Sequence, residues 1–300
     1  MEHVKQNFSI KDLENLSGIK AHTIRIWEKR YSVLEPERTD TNIRSYDGEN
    51  LQKLLNIAFL NAHGYKISRI SKMENVEIQQ MVKRISASSS VESRARNNFK
   101  LAMMNFDDKL FHSTYDNLRD KKSFSEIFQD IFIPLLKDIG LLWQTDTIKP
   151  IHEHYIVELI KEKIYLNIEE VKVKHESLDA NPLYVLFLPS NEIHDIGILY
   201  LNYEILAAGK KAIYLGPSLP IDNIHYLTKI HSKIVFISYL TILPNGHKVE
   251  NFIEDFQNEV CAIDTFDLYL FGQKIQDLDI QKQPENVKIF DNPKTFLKTL

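Results

Sequence analysis

The amino-acid sequence predicts a multi-domain protein of α and α/β class: a helix-turn-helix reader, a four-helix bundle, and a parallel sheet with helices on both faces. Three observations predict it. Residues 8–80 are short helical patterns broken by turns, residues 95–171 keep a helical period throughout, and after KHESLDANP short apolar runs alternate with amphipathic segments.

At 300 residues the chain is long enough for two or three cores, and 43% hydrophobic with 26% charged residues is an ordinary globular composition. No run approaches the ~20 apolar residues of a membrane helix, and MEHVKQNFSI has no signal-peptide core. A cytoplasmic protein without a membrane partner is expected. The single cysteine, Cys261, excludes a disulfide framework and a cysteine-rich zinc site, and reads as a structural thiol. The net charge of −4 is uneven: residues 1–85 hold 14 Lys/Arg against 11 Asp/Glu, so the N-terminal part carries the basic surplus expected of a polyanion binder.

In the first part, Ser9 is an N-cap for IKDLENL, Ser17-Gly18 makes a turn, and AHTIRIWEKRY starts a second helix. A second helix of this kind lies in a major groove and presents Thr23, Arg25, Lys29 and Arg30 to phosphates and base edges. ERTDTNIRSYDGEN then forms a basic hairpin, a wing that uses Arg38, Arg44 and Tyr46. Spacing alone leaves open a small helical domain with a basic loop. The order of residues is more specific. FSIKDLENLSGIKAHTIRIWEKRYSVLEPERTDTNIRSYDGENLQKLLNIAFLNAHGYKISRI resembles the MerR-family winged helix-turn-helix, through T-[IL]-R-x-[WY]-E, P-x-R-T, R-x-Y, a Leu-rich helix and a Gly-Tyr turn. The resemblance implies that those seven residues contact double-stranded operator DNA, with Trp27 as core packing.

The domain reading is a winged helix-turn-helix over 1–84, a Ser-rich linker over 85–94, a bundle over 95–178 and the sheet over 179–300. In the bundle Phe124, Ile127, Phe128, Ile131 and Leu135 keep i, i+3, i+4 spacing, as do Ile156, Ile160, Ile164 and Ile168. The strands are LYVLFL, KAIYLG, KIVFIS, LYLFG and VKIF.

For what the second half binds, His152 and His154 point about 200° apart on a helix and cannot grip one metal ion together. A dinucleotide is disfavoured because the first strand-to-helix turn, NEIHDIG, has no G-x-G-x-x-G. That turn does place His194 beyond the carboxyl end of a strand, where ligands of such sheets bind, with an acid two residues before it that can hold one imidazole nitrogen.

Glu192-Ile193-His194-Asp195-Ile196-Gly197 resembles the D/E-x-H-x-x-G signature of Rossmann-like cobalamin-binding domains. The resemblance implies His194 as the lower axial ligand of cobalt, Glu192 as its partner, and Gly197 as a point of close approach to the macrocycle. Ser238-Tyr239-Leu240 matches the family's Ser-x-Leu, which adds Ser238 and Leu240 to the site. The Gly-Gly turn after the fourth strand is Phe271-Gly272-Gln273 here, so one glycine is missing beside Gly272 and an altered nucleotide-tail pocket is expected. The bundle has Trp143, nine residues, then Glu153-His154, a pattern similar to that of adenosylcobalamin photoreceptor regulators of the CarH/LitR type, which implies a cap over the upper, adenosyl ligand. Those members have a His after the Trp, and this chain has Gln144.

Together the resemblances imply a non-enzymatic, cobalamin-dependent repressor that binds operator DNA in the dark as a dimer or tetramer and is released by light. The alternatives are a light-insensitive cobalamin-level sensor, a cofactor-independent MerR regulator, and, with less support, a corrinoid methyl carrier.

Overall fold

A computed structural model describes residues 8–38, 44–86, 91–144, 147–175, 178–241, 248–276 and 278–300, with the backbone alone at 83, 84, 86, 144 and 280. The chain divides into two compact units, Met1–Ile160 and Lys161–Leu300.

The first unit opens with α1 (Ile10–Ser17), capped as expected: the Ser9 hydroxyl accepts from Asp12 N–H and the Asp12 carboxylate accepts from Ser9 N–H. Gly18 ends the helix at φ +76°, a left-handed turn that suits a residue without Cβ. Next come α2 (Ala21–Tyr31), a two-stranded wing of β1 (Glu37–Arg38) and β2 (Arg44–Ser45), and α3 (Gly48–Ala62). The wing tip, 39–43, lies outside the described residues. Leu13, Leu16, Ile24, Trp27, Leu54 and Leu60 are buried, so Trp27 is core as expected.

After α4 (Ile67–Ile70) and α5 (Asn75–Ser86), α6 (Val91–Asn105) begins the bundle. The stretch read as a linker is therefore helical at both ends, and 87–90 falls outside the described residues. α7 (Asp108–Arg119) follows, then α8 (Phe124–Ile127), a π-helical turn (Phe128–Phe132) and α9 (Ile133–Gln144). The π turn sits just before Pro134, whose missing N–H and bulky ring disrupt a regular helix four residues back. Every apolar residue whose helical spacing predicted the bundle is buried, and Phe99 packs on Phe111 at 4.9 Å and Phe132 at 5.4 Å. α10 (Pro150–Lys174) is the last bundle helix, and the division between the units falls within it.

The second unit holds β3 (Asp179–Phe187), α11 (Ile196–Ala207), β4 (Lys210–Tyr214), α12 (His225–Thr228), β5 (Ile234–Tyr239), α13 (Val249–Glu259), β6 (Asp267–Phe271), β7 (Val287–Ile289) and α14 (Pro293–Leu297). All five predicted strands form one parallel sheet in the order β4-β3-β5-β6-β7. Alternate strand residues feed two cores. Val185, Phe187, Phe236 and Leu270 meet α13 on one face, and Leu186, Ile237 and Phe271 meet α11 and α14 on the other. The chain leaves β3 to β4 on one side and later to β5 on the other, so the carboxyl end of β3 is the switch point where such sheets receive ligands.

Candidate functional site

On α2 the side chains of Arg25, Lys29 and Arg30 are exposed, Thr23 is half-buried beside His22, and Arg38 is exposed on the wing. The wing is tied to α2 through Glu28. Its carboxylate accepts from Arg44 Nε at 2.9 and 3.1 Å and from the Tyr46 hydroxyl at 2.9 Å. Arg44 spends Nε on this bond. Tyr46 corrects an expectation. It is wholly buried, and burial together with the Glu28 bond pushes its hydroxyl well above the ordinary tyrosine value. Tyr46 is a strut between wing and recognition helix and does not face DNA.

In the bundle Trp143 is 53% exposed near the end of α9, with Leu141 and Ile151 also exposed. Glu153 and His154 lie in the first turn of α10, half-buried and exposed respectively. The Gln144 side chain is outside the described residues. His152 is engaged locally: Nδ1 accepts from Lys149 N–H at 3.1 Å, the ring stacks on Phe106 at 5.1 Å, and burial lowers its pKa, which favours the neutral form.

The β3–α11 turn is built around Glu192, which is fully buried. Oε1 accepts from His194 N–H at 2.9 Å and from His194 Nδ1 at 2.7 Å, and Oε2 accepts from Thr241 N–H at 2.8 Å at the end of β5. One carboxylate thus pins the turn, the next strand and the imidazole. With Nδ1 as donor, Nε2 carries the lone pair, on a side chain 46% exposed. Ile193 and Leu215 are exposed apolar residues of the two adjoining loops. A buried acid holding an exposed imidazole on an apolar rim is a donor set that suits one ligand position of a flat, largely apolar metal complex. Among the described residues no cluster of three metal-ligating side chains exists, so a metal held here would bring its other ligands with it.

Family models match the reader and the bundle. Residues 8–76 match the MerR HTH family regulatory protein model, and residues 95–166 match the B12 binding domain model. The chain is 23% identical over 227 residues to the HTH-type transcriptional repressor CarH of Myxococcus xanthus, covering 73% of this chain and 74% of that one. It is 21% identical to the repressor CarA of the same organism, covering 70% and 68%. The chain is a MerR-family regulator with a B12-binding domain. The solved monomethylamine corrinoid protein of Methanosarcina barkeri shares the fold, with a TM-score of 0.52 at 16% identity over 70% of this chain and 98% of its own.

The regulator's donor set suits a corrinoid at His194. The remaining residues assigned to that site are packed against the chain's own side chains and backbone. A Cβ on Gly197 would come within 2.8 Å of Tyr239 Cε2 and 2.9 Å of Cζ, so the space the glycine leaves is filled by this chain's own tyrosine. Gly272 has φ +109°, and its Cβ would lie 2.3 Å from the Leu240 carbonyl oxygen, where Leu240 N–H donates to the Phe271 carbonyl at 2.7 Å. Both glycines have a packing reason within the chain itself. Leu240 is buried in the α13 core. Ser238 is buried, and its hydroxyl has no hydrogen-bond partner among the described residues, for which nothing described gives a reason. Gly197→Ala is expected to cost about 1–3 kcal/mol, and less in a Tyr239→Leu background, measured as urea midpoints; equal costs in both backgrounds would exclude Tyr239 as the cause.

Three residues of the site, with their partners, escaped the sequence reading. Glu28 closes the reader motif, and Thr241 anchors Glu192. Asp195, buried inside the signature, pairs with Lys161 at 3.0 Å and accepts from the Tyr214 hydroxyl at 3.3 Å. Glu28 and Asp195 stand inside the quoted motifs, but only the structure shows what they hold.

Proposed function

We propose that the regulator is a repressor whose DNA binding is set by adenosylcobalamin and light, working as a three-part chain of reader, cap bundle and Rossmann-like domain. The observation that carries this reading is the Glu192–His194 pair, an imidazole fixed by a buried carboxylate and exposed at the switch point of a sheet that follows a MerR reader. His194 Nε2 would be the nitrogen that holds cobalt, and Glu192, bonded to Nδ1, aims it. Trp143, Glu153 and His154 are assigned to the upper ligand by their spacing, and the exposure of Trp143 supports this over a core role. When bound, adenosylcobalamin would supply a light-sensitive bond to its upper group. Trp143 would pack on that group, and the preference of the chain for its DNA-competent arrangement would follow the difference in affinity between the two states.

Several readers on one operator turn weak contacts by Arg25, Lys29, Arg30, Arg38 and Arg44 into strong binding, so the dark state is a dimer or tetramer. Among the described residues no helix is long and apolar enough to cross a membrane, which supports a cytoplasmic regulator acting on DNA. The reader ahead of the bundle favours regulation over a methyl-carrier role.

Size-exclusion chromatography and the visible spectrum of the purified protein with adenosylcobalamin, in darkness and after green light, test this. The expected result is bound cofactor and a larger dark assembly that light dissociates. Bound cofactor with an unchanged assembly would replace light sensing by sensing of cobalamin level. For the reader, Arg25→Ala is expected to weaken binding to a duplex selected from a random library by about 1–3 kcal/mol; unchanged affinity would remove α2 from the interface.

A further inference from the structure

Next to Gly197 the end of the sheet is packed with the chain's own aromatic rings. Tyr239 stacks on Phe271 at 6.3 Å and 7°, and Phe271 stacks on Phe290 at 5.3 Å and 12°. Phe296 closes the group edge-on to Phe271 at 5.5 Å and to Phe290 at 5.4 Å. Phe271 and Phe296 are buried, and the stack lies between the sheet, α11 and α14. At its upper end the Tyr239 ring occupies the space that Gly197 leaves free. On the opposite face Ser238 and Leu240 are wholly buried, and the backbone of Gly272 is pressed on Leu240. Interiors packed this way hold no room for a group of nucleotide size without displacing a ring. The imidazole of His194, by contrast, is exposed at the rim.

We infer that this domain takes its corrinoid through the cobalt and the macrocycle alone, with no pocket for a lower nucleotide among the described residues of the sheet, so that it accepts corrinoids whatever lower base they carry or lack. Phe271, with Tyr239 and Phe290, is the specificity-determining element: an aromatic side chain stands at the turn where the related domains have a glycine. The inference rests on the reading of His194 as the cobalt ligand. A corrinoid bound in this way leaves its nucleotide in solvent, and one that has no nucleotide forfeits no contact. Cobinamide, which also has no base of its own to displace from cobalt, is then bound at least as tightly as cobalamin.

The test is a visible-spectrum titration of the full-length protein with aquocobalamin and with diaquocobinamide, each repeated on His194→Ala. The expected result is a ligation shift with both corrinoids, lost with both in the variant, and a cobinamide affinity equal to or above that of cobalamin. Cobalamin binding tighter than cobinamide by about tenfold or more would overturn the inference while leaving the cobalt-ligand reading intact. A spectrum unmoved by either corrinoid would remove that reading, and this inference with it. Phe271→Ala is expected to open the stack and move the ratio toward cobalamin, and an unmoved ratio in the folded variant would contradict the role of Phe271; the wild-type comparison decides the inference even where that variant does not fold.

Discussion

Replacing His194 with alanine is expected to lower corrinoid affinity by about 100-fold and to abolish the spectral change of imidazole ligation, while the protein stays folded. Altering a partner that orients a metal ligand commonly costs about 10–100-fold, and here the ligand itself is removed. The fold survives because Glu192 keeps its bonds from His194 N–H at 2.9 Å and Thr241 N–H at 2.8 Å. The loss of the Nδ1 bond is expected to cost about 1–2 kcal/mol. Glu192→Gln is the complementary change. It keeps the shape of the turn but weakens the hold on Nδ1, so affinity is expected to fall by about tenfold, as read in the same titration. Full affinity in His194→Ala would take cobalt away from this turn.

Removing the Glu28 carboxylate is expected to have the next largest effect, on both stability and DNA binding. Its side chain is 12% exposed and accepts from Arg44 and from the buried Tyr46 hydroxyl. Glu28→Ala leaves that hydroxyl unpaired inside the reader and frees the wing, at a cost of about 2–3 kcal/mol in denaturant unfolding, and binding to selected duplex DNA weakens with it. Tyr46→Phe separates the two effects. It removes one hydrogen bond, costs about 1 kcal/mol, and should leave DNA affinity unchanged, because the ring stays buried. A tenfold loss of DNA affinity in Tyr46→Phe would restore Tyr46 to the interface.

Much of this was legible in the sequence where the signal is local. The i, i+3, i+4 spacing of Phe124 to Leu135 and of Ile156 to Ile168 predicted helices whose marked residues are all buried, and five apolar runs predicted five strands. The Ser9 cap and the Gly18 turn are contacts within a few residues, and both formed. Glu192 holding His194 is likewise local, two residues apart. What a local pattern misses involves partners far apart in sequence. Gly197 is explained by Tyr239, and Gly272 by Leu240, through the pairing of strands that no local pattern reports. Tyr46 looked exposed because a wing of two-residue strands shows no alternation from which to tell its inner face. Asp195 and Lys161 meet across α10 and the β3–α11 turn, 34 positions apart. The missing glycine at Phe271 was visible as a departure, while its consequence, a four-ring stack next to Gly197, depends on Tyr239, Phe290 and Phe296 being brought to one place by the sheet.

The central claim is that the occupant of the corrinoid site controls the DNA reader. Coupling of this kind is reciprocal, so each ligand changes the affinity for the other by the same factor. The direct measurement is the adenosylcobalamin affinity of the wild-type protein in darkness, with and without a saturating duplex obtained by selection. An affinity raised by duplex DNA by about tenfold, within the usual 1–3 kcal/mol of coupling, is the predicted result. The same affinity with and without DNA would contradict the claim.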